Sequence, residues 1–285
     1  MKFATYNIQF CLGKDGEIDV ERIAREIGDA DIIALQEVER HWERSLNLDE
    51  VAELADLFPD HYYVYGPGID MNAGYRSAKG GLVSRRQQFG NMLLCRWPIL
   101  SSRNHLLPHR GGDAEKLALQ RSALEATVMT NRGMLRIVST HLSHSSADDR
   151  SRQIRELQAR LAAAAGERSV LSGKKGAGYW SRVEQPADFS GDYLVMGDFN
   201  LTPDFPEYAL LADKDAPAKL IDVADLLGQG GADAWTCEET DGHNRIDYIF
   251  CSPSLAGLAR EIHVDQKAVG SDHQPVFATF DITAV

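Results

Sequence analysis

Cysteine is scarce and scattered: Cys11, Cys95, Cys237 and Cys251 are the only four in 285 residues, and none forms a Cys-x-x-Cys pair. That leaves no disulfide framework to expect and reads as free thiols in a reducing compartment. No apolar run reaches the length that a bilayer-spanning helix needs, so stable membrane insertion is not expected. The opening Met1-Lys2-Phe3-Ala4-Thr5-Tyr6-Asn7 turns polar too early for a secretory leader. The expected location is cytoplasmic. Positive charge is also in deficit, with 30 Lys and Arg against 42 Asp and Glu, a net charge of -12. Coating nucleic acid nonspecifically needs the reverse balance, because basic groups that neutralise phosphates supply that affinity. A local basic cleft remains compatible with the composition, and an acidic surplus suits a site that gathers carboxylates around a divalent metal. Internal repeats, low-complexity tracts and linkers are missing too, so residues 1–285 are expected to form a single catalytic domain.

What is there gathers around Tyr193-Leu194-Val195-Met196-Gly197-Asp198-Phe199-Asn200. An apolar run of strand length breaks at Gly197. It presents Asp198 and Asn200 two residues apart, on one side of an extended backbone. Pro203 and Pro206 follow, so the pair sits where a buried strand opens into a loop. Such a carboxylate and amide can hold a metal, orient a water, or merely close an Asx-type turn.

Other runs deliver polar residues in the same way. Lys2 to Ile8 reads as a first strand ending at Asn7-Ile8-Gln9. Ile18 to Ile27 carries one apolar helix face behind an Asp19 N-cap. Asp31 to Glu37 is a buried strand with Glu37 at its end. A helix over 48–58 stops at Pro59, and Tyr62 to Tyr65 is extended. From Gly66 to Gly90 the expectation is a loop, with Arg76, Lys79, Arg85 and Arg86 as a candidate phosphate-gripping arm. Asn91 to Cys95 is another strand. Ser122 to Met129 and Met134 to Thr140 make a hairpin across Asn131-Arg132-Gly133. It ends in Thr140-His141-Leu142, and a helix capped at Ser145 or Ser146 follows. Gly166 to Gly191 reads as an insertion able to fold over the site as a lid. Glu207 to Leu211 and Leu220 to Leu227 read as helical. Asn244 to Phe250 reads as a strand with Asp247 inside its apolar run, where a lone carboxylate would be costly. Ser271-Asp272-His273 precedes a terminal strand to Ile282.

Strand ends of one sense converge on a common rim in an α/β sheet, and ligands bind there. The residues gathered are Asn7, Glu37, His141, Asp198, Asn200, Asp247, Asp272 and His273. Oxygen donors without a His/Cys cluster suit Mg²⁺ or Mn²⁺ better than zinc. Two histidines beside such a set suit stabilising a phosphate in transit. The chemistry implied is metal-assisted hydrolysis of a phosphoester.

Thr5-Tyr6-Asn7, Leu35-Gln36-Glu37, Thr140-His141-Leu142, Gly197-Asp198-Phe199-Asn200, Arg245-Ile246-Asp247-Tyr248 and Ser271-Asp272-His273 occur in that order and bracket nearly the whole chain. The ordered set resembles the endonuclease/exonuclease/phosphatase superfamily, in its deoxyribonuclease and sphingomyelinase-like branch. The resemblance implies an α+β fold: a four-layer α/β/β/α sandwich of two mainly antiparallel sheets flanked by helices, rather than a parallel sheet. It implies a metal held by Glu37, with Asn7 and Asp272 beside it. Asp198 would orient or deprotonate the attacking water, and Asn200 would position it or a phosphate oxygen. His273, held by Asp247, would stabilise charge on phosphorus, and His141 would contact another oxygen or protonate the leaving group.

The implied function is divalent-metal-dependent phosphodiester hydrolysis of a nuclease-like kind, with DNA or RNA among the candidate substrates and Arg85 and Arg86 binding them. The alternative is a phosphodiesterase or phosphatase acting on a small-molecule or lipid-headgroup phosphate. A non-catalytic binding module on the same fold stands further back, because no member of the constellation is missing. Asn244, where apurinic endonucleases commonly place Trp, and Leu201-Thr202-Pro203 depart from the abasic-site and inositol-phosphatase patterns. No protein partner is implied.

Overall fold

A computed structural model describes residues 1–110, 117–164, 189–213, 215–239 and 242–285. In the first part of the chain the strands are β1 (Lys2–Asn7), β2 (Ile32–Arg40), β3 (Tyr62–Asn72), β4 (Tyr75–Arg76), β5 (Leu82–Val83), β6 (Arg86–Cys95) and β7 (Ser101–Leu106). Next come β8 (Ser122–Thr130), β9 (Gly133–His141), β10 (Phe189–Asp198) and β11 (Ile221–Asp222). The last are β12 (Cys237–Glu239), β13 (Gly242–Asn244), β14 (Asp247–Cys251), β15 (Ala259–Val264) and β16 (Val276–Phe280). They build two six-stranded sheets, ordered β15-β16-β1-β2-β6-β3 and β11-β14-β10-β9-β8-β7. Each sheet holds one parallel pair, β1 with β2 and β9 with β10, and is otherwise antiparallel.

Both faces of each sheet are covered, which is why the central strands read as continuous apolar runs rather than alternating ones. Phe3, Ile32, Leu93, Leu124, Ile137, Leu194 and Ile249 fill the space between the sheets. On the outer face of the first sheet, Ile33 and Leu35 meet Ile23 of α1 (Val20–Ile27) and Leu54 of α2 (Glu50–Leu57). Outside the second sheet, α3 (Ala147–Ala164) packs Ile154, Leu157 and Leu161 against Val195 and Phe199. This is the four-layer sandwich that the motifs imply. Asp19 caps α1 through Arg22 N, and Ser146 Oγ accepts Asp149 N in the first turn of α3. No helix among the described residues is long and apolar enough to cross a membrane.

Three expectations need correction. The stretch from Gly66 to Gly90 is no loop: β3 and β6 extend into it and pair as far as Asn72 with Arg86. Gly66, Gly68 and Gly90 permit close packing inside strands rather than turns. A Cβ on Gly90 would lie 2.3 Å from the Gly66 carbonyl oxygen, and one on Gly68 would lie 2.4 Å from that of Gln120. Only the tip, with β4 and β5, is a separate small hairpin. Leu220 to Leu227 divides, because Ile221 and Asp222 join β14 as a short edge strand before Asp222 caps a four-residue helix. Asn244 to Phe250 likewise breaks at Arg245-Ile246, so Asp247 opens β14 instead of lying inside a strand. Strands β7 and β15 were not expected, since both are edge strands, Ser101–Leu106 largely polar and Ala259–Val264 half so. The proposed lid lies outside the described residues up to 188, and its last residues belong to β10.

Candidate active site

The register of the strands decides which ends meet. Asn7 lies opposite Gln36 across β1 and β2, while Asp198 lies opposite both His141 and Asp247 across β9, β10 and β14. Glu37 arrives by a different route. Leu35 and Val38 both face the α-helical side although they are three residues apart, and the β2–β6 register shifts between them. A bulge of this kind re-aims a side chain. It takes Glu37 (φ 61°) off the face that strict alternation would assign it.

Asp198 lies at the centre. Its Oδ1 accepts Asn200 N at 2.8 Å, so the Asx-type turn is present. Its Oδ2 is 3.0 Å from Asn7 Nδ2, 3.2 Å from His141 Nε2 and 3.9 Å from His273 Nε2. Gly197 (φ 144°) makes this approach possible, because a Cβ there would sit 1.9 Å from Thr140 O. Burial, reinforced by the charge of Asp247, pushes the Asp198 carboxyl up to about 7.

The two histidines differ in charge. His273 Nδ1 lies 2.8 Å from Asp247 Oδ2. Burial works against a charged imidazole there, but the Asp247 carboxylate outweighs it and raises His273 well above the usual histidine range. His141 goes the other way, lowered first by burial and then by the positive charge of Arg121. Arg121, only 4 % exposed, donates from Nη1 to His141 Nδ1 at 3.1 Å and from Nη2 to His144 Nδ1 at 3.1 Å. A guanidinium has only donors. The His141 proton therefore resides on Nε2, facing Asp198, and the Asn200 amide nitrogen, 2.9 Å away and itself a donor, bonds the Leu142 carbonyl at 3.1 Å instead.

Glu37 Oε1 is 3.4 Å from Asn7 Nδ2 and 3.9 Å from His141 Nδ1. Burial raises its carboxyl; Arg121 and His273 oppose this, and Asp272 adds to it. Asp272 is tied in by Gln9 Nε2 at 2.8 Å and by Ser271 Oγ at 3.2 Å. The single Ser271 hydroxyl proton is closer to the Asn7 carbonyl, at 2.7 Å. Among the described residues, the one cluster of three His, Cys, Asp or Glu side chains tight enough for a metal is Asp198, Asp247 and His273, with ligand atoms within 4.8 Å of one another. A histidine hydrogen-bonded to one carboxylate and 3.9 Å from a second is better suited to managing protons. Glu37, partly exposed at 21 % and with the upward push of its surroundings offset only in part by Arg121 and His273, is a carboxylate that could hold a cation.

All eight rim residues expected from the sequence thus converge. Arg85 and Arg86 stand apart: Arg85 donates to the Asn47 carbonyl at 3.2 Å, and Arg86 pairs with Asp70 at 2.7 Å, both on exposed surface. Arg121 was missed. Its signal is a lone basic residue at the entry of an apolar strand. Gln9 was missed as well, although it follows Asn7 by two. Behind Asp247 a cavity of about 470 Å³, bounded by Thr236, Arg245, Ile249, Ile262 and Val276, shares only Asp247 with the rim.

The sequence matches the model of the Endonuclease/Exonuclease/phosphatase family over residues 4–273. No curated protein matches it. Among solved structures, an endonuclease/exonuclease/phosphatase from Beutenbergia cavernae is similar at 20% identity and TM-score 0.66, covering 100% of this chain and 71% of the other. A mannosyl-6-phosphatase from Bacteroides thetaiotaomicron is similar at 17% identity and TM-score 0.60, with 98% of both chains covered. The human Nocturnin catalytic domain with bound sulfate anion is similar at 18% identity and TM-score 0.60, covering 99% of this chain and 94% of the other.

Proposed function

The chain belongs to the endonuclease/exonuclease/phosphatase family, and from that premise we propose that it hydrolyses phosphodiester bonds with a divalent cation, in the manner of a nuclease. One observation carries the reading: Asp198 lies between a charged His273–Asp247 pair and a neutral His141. Glu37, Asn7 and Asp272 would hold the ion, Mg²⁺ or Mn²⁺, whose oxygen-donor preference they fit. When bound, the ion supplies Lewis-acid stabilisation of the phosphate.

The protein groups then divide the work. Asp198 accepts a proton from the attacking water as its oxygen bonds to phosphorus, with Asn200 fixing the water's position. His273, charged and oriented by Asp247, stabilises the negative charge that develops on the phosphate oxygens. The phosphorus–ester bond breaks and the leaving oxygen takes its proton from water, while neutral His141, too weak an acid to give up its Nε2 proton, offers that N–H as a hydrogen bond to a phosphate oxygen. A small phosphoester is the second reading, favoured by the net charge of -12 and by the likeness to a mannosyl-6-phosphatase.

The test is hydrolysis of bis-p-nitrophenyl phosphate with Mg²⁺ or Mn²⁺, with and without chelator, beside a thermal melt. Turnover that chelator removes is expected. So is a melting temperature that Mn²⁺ raises in the parent but not in Glu37→Gln, since a ligand that binds only the native state stabilises it. Chelator-resistant turnover, or an equal Mn²⁺ response in Glu37→Gln, would overturn the metal assignment.

A further inference from the structure

The loop after β2 carries a second charged cluster that the reaction above does not use. Glu39 is fully buried and accepts Arg44 Nε at 2.9 Å, Arg44 Nη2, and Ser45 Oγ at 2.9 Å. The Arg44 guanidinium lies 4.5 Å from the Phe10 ring centroid, 5.1 Å from that of Trp42 and 5.9 Å from that of Phe89. Trp42 is anchored in turn by its Nε1 donating to Gln88 O at 2.7 Å. Buried carboxylate and aromatic rings therefore hold the plane of the cation, yet 49% of the side chain remains exposed. Its Nη1 donates to no group among the described residues. A guanidinium fixed on one edge and open on the other is pre-organised to receive a planar or tetrahedral oxyanion.

Position links this cluster to the rim. Gln9, Phe10 and Cys11 are three successive non-glycine residues in the left-handed region, at φ 44°, 45° and 61°. That strained turn brings Gln9 to Asp272 and Phe10 to Arg44. Such strain persists where the surroundings over-determine it, and it concentrates at ligand-binding sites. On the other side, the Phe89 ring that meets Arg44 also meets Arg121, at 6.0 Å, the cation that sets His141. Arg44 has no hydrogen bond or ion pair with the eight rim residues, so it borders the reaction without joining it.

We propose that Arg44 reads a second oxyanion on the substrate, so that the preferred substrate is a phosphoester carrying a further phosphate or carboxylate beside the scissile group. The proposal rests on the phosphoesterase reading above. A purely structural Arg44 would serve only to balance Glu39. Lysine in its place keeps the charge against Glu39 but loses the planar fork.

The experiment compares the p-nitrophenyl ester of thymidine 5′-phosphate with its 3′-phosphorylated and 3′-succinylated counterparts, in the presence of Mn²⁺. The parent is expected to prefer at least one of the doubly anionic esters by about tenfold in kcat/KM, through KM, as charge-assisted hydrogen bonds allow. The two counterparts tell phosphate from carboxylate. Arg44→Lys should lose most of that preference, and Trp42→Leu, which leaves the Glu39 pair intact, should reduce it. An unchanged preference in both variants, or none in the parent, overturns the proposal. Should Arg44→Lys fail to fold, Trp42→Leu alone decides by the same criterion. Failure of the parent to hydrolyse any of the three esters overturns the phosphodiesterase reading itself, and this proposal with it.

Discussion

At Asp198 one oxygen closes the turn to Asn200, 2.8 Å away, while the other faces Asn7, His141 and His273. Asp198→Asn keeps the size and the turn acceptor but removes the base and one buried charge beside Asp247. Turnover is expected to fall by about 10²–10³ or more, with a melting temperature equal to or above the parent's. His273→Ala removes a cation from the same centre, and a similar loss in kcat is expected. Circular dichroism melts of both variants check that the effect is chemical. An unfolded His273→Ala protein would mean that the Asp247 pair serves the fold and not the reaction. Arg121 shows why one residue cannot be read alone, since it fixes the His141 tautomer without being part of any chain-local motif.

The end of β2 and the start of α2 meet through two acids. Glu50 Oε2 accepts Glu39 N at 2.7 Å, while Glu50 Oε1 is buried without a partner. Burial raises Glu50 well above the ordinary carboxylate range; the Glu39 backbone bond opposes the rise and the Glu39 charge adds to it. A folded-state value above the unfolded one means that the neutral form fits the fold. Its stabilising contribution is complete below the unfolded carboxylate value and is lost as pH rises through the folded one. Glu50→Gln keeps an acceptor for Glu39 N and cannot ionise. It is expected to melt a few degrees above the parent at pH 8, the gain shrinking toward zero near pH 5. A gain of the same size at both pH values would show that ionisation of Glu50 has no part in it. The ribbon made by β3 and β6 is the other informative element, because its glycines looked like loop residues until the facing backbone was known.

For the molecule as a whole, an acidic surface with a net charge of -12 carries one basic ribbon tip. The Arg86–Asp70 pair there is about half exposed on each side and contributes little to stability. Arg85→Ala combined with Arg86→Ala should leave the melt unchanged, raise KM a few-fold for an extended nucleic acid and leave kcat alone. Affinity for such a substrate should fall with salt by a log–log slope of roughly 0.7–0.9 per phosphate contacted. A small phosphoester should respond only weakly. A flat salt response together with no cleavage of DNA or RNA would favour the small-substrate reading and remove the ribbon from the binding surface.

From the sequence by itself came the eight rim residues, the caps of α1 and α3, and the strands whose apolar runs are long enough to be buried on both faces. These are local properties: a strand's period, a cap's side chain, or a motif whose spacing survives because each residue sits at the end of its own strand. The two-sheet arrangement was legible only through the resemblance of the ordered motifs, since periodicity had suggested a parallel sheet. The tertiary structure alone decided the bulge that turns Glu37 toward Asn7, the strand character of Gly66 and Gly90, and the charge difference between His141 and His273. Each depends on atoms far away in the chain. Register against a neighbouring strand, the approach of a facing carbonyl and the burial of Arg121 exist only after the sheets have paired.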